Sequence, residues 1–426
     1  MRSADLAVLG CEQLVTCGGQ IPKRKDSLQD VGVIESGCIA SHQGKIVFIG
    51  DERKFNEEVR LEESGIRVDG KGLVGLPGFV DSHTHLPFAG TREQEFVLRL
   101  KGYSYQQLAE QSLGIQTTVK ATRQASKEEL VSLCLSRLDR MLLHGSTTVE
   151  GKSGYGLNFE DEIKQLEALQ EADSLHPIDI VSTFMGAHEV PEEFRSKKSE
   201  YIDLLINQIL PAVKEKNLAE FFDVFCEEGV YSIEETRYLV RAAKETGLKV
   251  KIHADEFSPL GGAQLAAEEG AGSADHLINI TDEGIQKLAN SQTVATLLPA
   301  VSFFLMLEKK APVRKLIERG AIVALATDFN PGSSMTESML FVLQLAVFTM
   351  KMSVEEALHA ATTNAAYALS RHEDVGSLEL NKKMDLVLCE APNYPSVVYH
   401  LGINPIKHVI KNGRVAVKDG QILKER

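Results

Sequence analysis

No stretch of the chain approaches the roughly 20 consecutive apolar residues that a membrane-spanning helix needs. The opening residues, MRSADLAVLG, also lack the long apolar core and small-residue cleavage site of a secretory signal. Membrane insertion and export are therefore not expected, and the cytoplasm is the expected compartment. Cysteine is sparse: Cys11, Cys17, Cys38, Cys134, Cys226 and Cys389 are scattered over 426 residues without C-x-x-C spacing. A disulfide framework requires a denser, paired pattern, so reduced, buried thiols are expected. Positive charge is in deficit, with 46 Lys and Arg against 60 Asp and Glu and a net charge of −14. Nucleic acid and anionic membranes need a basic face that displaces counterions, so neither is expected as a partner and the substrate should be small. Internal repeats, low-complexity tracts and charge blocks are missing too, which argues against a solenoid or a disordered interaction tail.

What is present fits an ordinary soluble composition, 43% hydrophobic and 25% charged. The length accommodates a barrel, commonly about 250 residues, together with a smaller domain. Between Val74 and Asp328 eight short β-branched runs recur, most followed by a turn and a helical-period stretch. They are VGLPGFVDS (74 to 82), STTVEG (146 to 151), IDIVSTFMG (178 to 186), FFDVFCE (221 to 227), LKVKIHA (248 to 254), GSADHL (272 to 277), TVATLLP (293 to 299) and IVALATD (322 to 328). Intervening segments such as KEELVSLCLSRLDRMLLHG and SIEETRYLVRAAKETG carry apolar residues three and four apart and stop at Gly145 and Gly247. The pattern predicts an α/β protein, a (β/α)8 TIM-like barrel over residues 71 to 375. Residues 1 to 70 and 376 to 426 instead carry alternating runs with turns at His42 to Gly44, Asn412-Gly413 and Asp419-Gly420. Neither piece has enough apolar surface for a stable sheet alone, so the two should pair into one small, discontinuous β-sandwich.

Barrel active sites lie where the strands end. Five of the twelve histidines fall there: His83, His85, His188, His253 and His276. In D-S-H-T-H a spacing of two puts both imidazoles on one side of an extended strand, ready for a single metal. His253 ends strand five in K-I-H-A-D-E, His276 ends strand six in S-A-D-H-L, and Asp328 ends strand eight after the apolar run IVALAT. A carboxylate placed there is costly unless it is paired or bound to a cation. Three imidazoles (His83, His85, His253) and Asp328 make an open zinc or iron site. His276 could serve as a further ligand, but that would close the position a catalytic water needs, so it is expected beside the ligands. Glu256, three residues past His253, can fold back over the metal for proton transfer.

The segments LPGFVDSHTH, HADE and the terminal TD resemble the amidohydrolase superfamily. Within it, FAGTREQEF, TTVEGKSGYGL, TFMGAHEVP, DVFCEEGV, IHADEFSPLGGAQLAAEEGAGSADHL, ATDFNPGSS and ATTNAAYAL resemble the imidazolonepropionase family through the whole barrel. The resemblance implies one zinc or iron ion per subunit on His83, His85, His253 and Asp328, a homodimer, and hydrolysis of 4-imidazolone-5-propanoate to N-formimidoyl-L-glutamate in histidine degradation. It further implies that Arg92, Tyr105, Tyr155, His188 and Glu256 contact substrate, and that Tyr155, Asn330, Gly332 and Ser333 hold product. Arg92 can clamp a carboxylate through two parallel hydrogen bonds, and Gly332 lets backbone approach a second one. In the expected chemistry Asp328 takes a proton from water, His276 steadies the oxyanion and Glu256 protonates the ring nitrogen. A nucleobase aminohydrolase would share the metal residues, whereas Arg92 and N-P-G-S favour a substrate bearing carboxylate. A binuclear cyclic amidase would need a lysine where Cys226-Glu227-Glu228 stands, and a metal-stabilised binding protein without turnover leaves Glu256 and Asp328 unexplained.

Overall fold

The computed structural model describes residues 1–103 and 113–423. Local signals set where its elements begin and end. The helix Lys127–Leu143 starts behind Ser126, whose hydroxyl accepts the Glu129 N–H, and stops ahead of Gly145 at φ 85°. Ile233–Glu245 starts on a capping box between Ser232 and Glu235 and stops ahead of Gly247 at φ 88°. Both starts satisfy N–H groups that the first turn cannot, and both glycines adopt the left-handed conformation at little steric cost.

Among the described residues the strands make two sheets. Strands β1 (Arg2–Val15), β2 (Val33–His42), β3 (Lys45–Asp51), β4 (Val59–Asp69) and β5 (Leu73–Pro77) join β14 (Leu386–Glu390), β15 (Ile406–Lys411), β16 (Arg414–Lys418) and β17 (Gln421–Ile422). The order is β17-β16-β15-β14-β5-β1-β2-β3, with β4 parallel to β1. Gln43-Gly44, Asn412-Gly413 and Asp419-Gly420 join consecutive strands with positive φ at both positions, the turn geometry that matches strand twist in a two-residue hairpin. Leu6, Val8, Leu14, Ile39 and Ile46 share one core with Leu386, Leu388 and Ile410, so strands from both chain ends bury each other. Such side chains contribute about 1.5–3 kcal/mol each when fully buried.

The second sheet is a parallel barrel of β6 (Phe79–Asp81), β7 (Ser146–Lys152), β8 (Asp179–Ala187), β9 (Phe221–Cys226), β10 (Lys249–Ala254), β11 (Ser273–His276), β12 (Val294–Leu297) and β13 (Ile322–Leu325), paired in sequence order. Its first and last strands meet beyond their ends: Asp328 N–H donates to the His83 carbonyl and His85 N–H to the Phe329 carbonyl, each at 3.0 Å. The barrel is the expected (β/α)8 barrel, and the two chain ends, expected to pair into a small β-sandwich, meet in one mixed sheet of nine strands among the described residues. The run 74–82, expected as a single barrel strand, divides at Gly78. Leu73–Pro77 pairs with β1 and β14, whereas Phe79–Asp81 pairs with β7. At the crossing a Cβ on residue 78 would lie 2.3 Å from Thr147 Oγ1 and 2.9 Å from Thr147 Cβ, so only glycine lets the chain pass between the sheets. All six cysteines are buried and unpaired, and among the described residues no helix is long and apolar enough to cross a membrane.

Candidate active site

The mouth of the barrel is formed where the strands hand over to loops, and the backbone there is bent to aim side chains inward. His276 (φ 77°) and Asp328 (φ 52°) occupy the left-handed region, unusual for residues with a Cβ and common where surrounding structure holds a functional group in place. His83 and His85, just past β6, His253 on β10, His276 at the end of β11 and Asp328 past β13 are all buried. Asp328 Oδ1 lies 3.3 Å from both His83 Nε2 and His85 Nε2. Ring centroids are 4.4 Å apart for His83 and His253 and 5.0 Å for His253 and His276.

Two sets of donor atoms converge, one from His83, His85 and His253 and one from His83, His276 and Asp328, each within 4.8 Å of one another. His83 Nε2, His253 Nε2 and Asp328 Oδ1 are buried without a hydrogen-bond partner. Unpaired buried polar atoms are expensive, and several aimed at one point fit a cation that would use their lone pairs. The donor set of imidazoles and one carboxylate suits a divalent zinc or iron ion. His83 Nδ1 lies 2.6 Å from Asp275 Oδ2, which leaves its Nε2 free to face the site.

Electrostatics separate the two carboxyl groups at the mouth. Burial pushes the Glu256 carboxyl well above the usual range, with the charges of Asp328 and Glu227 adding to the effect. Burial alone would also raise Asp328, but the His83 and His85 imidazoles close to it outweigh that and hold the carboxyl well below. The two carboxyls are thus pushed in opposite directions, the division that proton transfer requires. Burial lowers His276 to about 4, and its Nδ1 is 3.5 Å from Glu256 Oε1. Burial, helped by the neighbouring His85, lowers His188 to about 3.

The remaining candidates gather around this centre. His188 stacks on His85 at 5.0 Å and donates through Nδ1 to the Gly154 carbonyl, 3.0 Å away; Tyr155 packs edge-on against His188 at 5.3 Å. Past β13, Asn330 Oδ1 accepts the N–H groups of Gly332 (2.8 Å) and Ser333 (2.9 Å), and its Nδ2 donates to the Asp328 carbonyl. Ser333 Oγ is 3.5 Å from Asp328 Oδ2, so the turn and the carboxylate form one unit. Arg92 reaches this turn from the loop after β6: its NH1 lies 2.2 Å from where a Cβ on residue 332 would be. Tyr105 lies outside the described residues.

Sequence reasoning missed several residues that position these groups. Arg92 Nε and NH2 both donate to Glu95 Oε2, at 2.9 and 2.7 Å, while Glu95 Oε1 accepts the Gly114 N–H. Glu227 accepts the Phe257 N–H at 2.9 Å and steadies the loop that carries Glu256. Asp255 accepts three N–H groups at the start of helix Gly262–Glu268 and fixes the other side of the same loop. Asp275 stands behind His83 and Asp223 behind His253. A lone charge inside the apolar run F-F-D-V-F-C was a usable signal for Asp223; nothing local marks Glu95.

The amidohydrolase family's sequence profile matches residues 74–416. The chain is 47% identical over 421 residues to an imidazolonepropionase of Geobacillus sp. (strain WCH70), covering 98% of this chain and 99% of the relative. It is 48% identical over 423 residues to an imidazolonepropionase of Symbiobacterium thermophilum, covering 99% of each. Among solved structures, an atrazine chlorohydrolase mutant from Arthrobacter aurescens TC1, complexed with zinc and atraton, matches with a TM-score of 0.72 at 17% identity, over 99% of this chain and 97% of that one.

Proposed function

The chain belongs to the amidohydrolase family and, within it, to the imidazolonepropionases, and from that premise we propose how its own residues carry the reaction. It is a hydrolase of C–N bonds that opens the ring amide of 4-imidazolone-5-propanoate to N-formimidoyl-L-glutamate, a step of histidine degradation. His83, His85, His253 and Asp328 would hold one zinc or iron ion. When bound, the ion supplies an electrophile that brings the pKa of a water toward about 7 and polarises the ring carbonyl.

Asp328 receives the proton that water gives up, next to the hydroxyl of Ser333. The neutral His276 ring donates a hydrogen bond to the oxygen on which negative charge grows. Glu256, kept protonated by burial, passes its proton to the ring nitrogen as the C–N bond breaks. Arg92 clamps the propanoate and the Asn330, Gly332 and Ser333 turn holds the product, while Tyr155 and His188 wall the ring. The observation that carries this reading is the convergence of His83, His85, His253 and Asp328 on one point, with the buried Glu256 carboxyl beside His276 and a guanidinium beside the adjoining turn.

A homodimer belongs to the same reading. Helices Pro299–Phe304, Met339–Met350 and Tyr394–Tyr399 expose Phe303, Phe348 and Tyr399, and Leu401 is exposed as well, apolar side chains that a second copy would cover. A net charge of −14 supports a small-molecule substrate rather than nucleic acid or an anionic membrane, and the cytoplasm is the compartment of this reading.

The test is incubation with enzymatically generated imidazolonepropanoate, following loss of its ultraviolet absorbance, beside a cytosine and guanine deamination assay. Loss of the imidazolone signal alone is expected. Ammonia release from a nucleobase with the imidazolone untouched would replace this reading with an aminohydrolase.

A further inference from the structure

Below the mouth, the barrel is filled by charge where apolar side chains would ordinarily pack. Glu150 and Lys152 on β7, Asp223 on β9, Lys251 on β10 and Asp275 on β11 are all wholly shielded from solvent. Glu150 with Lys152, and Lys251 with His253, are two residues apart on their strands, so each pair points to the same side and into the barrel. Lys152 Nζ lies 2.8 Å from Glu150 Oε2 and 2.6 Å from Asp223 Oδ2. Lys251 Nζ lies 2.7 Å from the same Glu150 oxygen, 2.6 Å from the Ser82 carbonyl and 3.5 Å from Asp275 Oδ2. The other Glu150 oxygen accepts the Thr183 hydroxyl at 2.5 Å.

The two arms end on the two metal-facing imidazoles. Asp275 Oδ2 is 2.6 Å from His83 Nδ1, and Asp223 Oδ2 is 3.1 Å from His253 Nδ1. We infer that Glu150 is the shared anchor of both histidines, a positioning residue that acts through Lys251 and Asp275 on His83 and through Lys152 and Asp223 on His253. The inference rests on the reading that these histidines bind the ion.

Stability alone does not account for the arrangement. Removing five charged groups from water costs more than their mutual attraction readily returns, and apolar side chains of similar volume commonly serve a core as well or better. What charge offers here is orientation and polarity. A carboxylate hydrogen-bonded to Nδ1, as Asp275 is to His83, fixes the ring tautomer and makes Nε2 a stronger donor; at His253 the Asp223 carboxylate stands at ion-pair distance from Nδ1, and in both arms a lysine on the carboxylate fixes its rotation. Three carboxylates against two ammonium groups leave one negative charge behind the imidazoles, facing the place where a cation would bind. Because both lysines meet at one Glu150 oxygen, a change there reaches both ligands together.

The experiment measures zinc affinity of the full-length, metal-free protein by chelator competition, with the visible spectrum of the cobalt-loaded protein as a second readout. Wild type must first bind zinc stoichiometrically; its failure would sink the metal reading itself, separately from the anchor. Glu150→Gln keeps the shape of the side chain and removes its charge. We expect it to weaken zinc binding roughly 10- to 100-fold and to shift the cobalt bands, the usual scale for removing a group that orients a ligand. Lys251→Met and Lys152→Met should each do part of this. Wild-type affinity with unchanged bands in a folded Glu150→Gln protein overturns the inference, as does an equal loss of thermal stability with and without metal. If Glu150→Gln does not fold, Thr183→Val loosens the anchor by removing one hydrogen bond to its carboxylate while leaving every charge in place; it should still cost several-fold in zinc affinity, and an unchanged affinity overturns the inference there too.

Discussion

Two side chains at the mouth can be tested by single substitutions whose effects differ in kind. Glu256→Gln preserves shape and hydrogen-bonding reach but has no acidic proton to give, so kcat should fall by roughly 100-fold or more while metal content stays unchanged. Unchanged turnover would remove Glu256 from proton transfer. Arg92 tests substrate capture. Arg92→Met should weaken kcat/KM by about 2 to 5 kcal/mol, the range for losing one partner of a buried charge pair, and Arg92→Lys should restore only part of it. Truncation also strips Glu95 of its partner, so some loss will come from the protein itself. The discriminating measurement is therefore the ratio between the imidazolone with and without its carboxylate. That ratio should collapse in the Met variant, and a wild-type ratio would mean that another group reads the tail.

At the scale of the element, the turn after β13 links the carboxylate Asp328 to the substrate clamp. Gly332 is needed there because of what approaches it, since the Arg92 guanidinium occupies the space a Cβ would take. The obstructing atom is the end of a flexible side chain, so Gly332→Ala should leave the fold and metal content intact and displace Arg92 instead. We expect a raised KM and a loss in kcat/KM of roughly ten- to a hundredfold, the scale for misplacing a positioning group by about an ångström. A wild-type KM with a lowered melting temperature would assign Gly332 to packing only.

Across the whole molecule, the barrel and the outer sheet are joined by charge as well as by the crossing at Gly78. Asp179, at the start of β8, lies 2.7 Å from Lys411 on β15 and 2.8 Å from Lys383. Burial would raise its carboxyl, but Lys411 and Lys383 outweigh that and lower it below the ordinary 3.8. A carboxyl lowered by folding adds stability above its unfolded pKa and loses it as pH falls through the folded value. Asp179→Asn should thus lower the melting temperature at pH 7, with the gap from wild type closing toward pH 3. A gap that stays constant over that range would show that the tie does not depend on the Asp179 charge.

Much of this was readable along the chain because its causes are local. Strand endings, the hairpin pairs Asn412-Gly413 and Asp419-Gly420, and the helix stops at Gly145 and Gly247 follow from backbone preferences of neighbouring residues. Three of the mouth residues could be recognised for a related reason: His253 and His276 stand at the ends of their strands and Asp328 follows the apolar run IVALAT, and a parallel barrel brings all such ends to one face. Tertiary structure alone decided what depends on distant partners. It split the run 74–82 between two sheets, because Thr147 crowds the backbone at Gly78. It put Arg92 on Gly332, some 240 residues away in sequence, and gave Glu95 the task of holding it. It also turned Glu150, Lys152, Asp223, Lys251 and Asp275, one or two charges on each of four strands, into a single buried network. A charge inside an apolar strand announces that it must find a counter-charge; only closure of the barrel determines which one it finds.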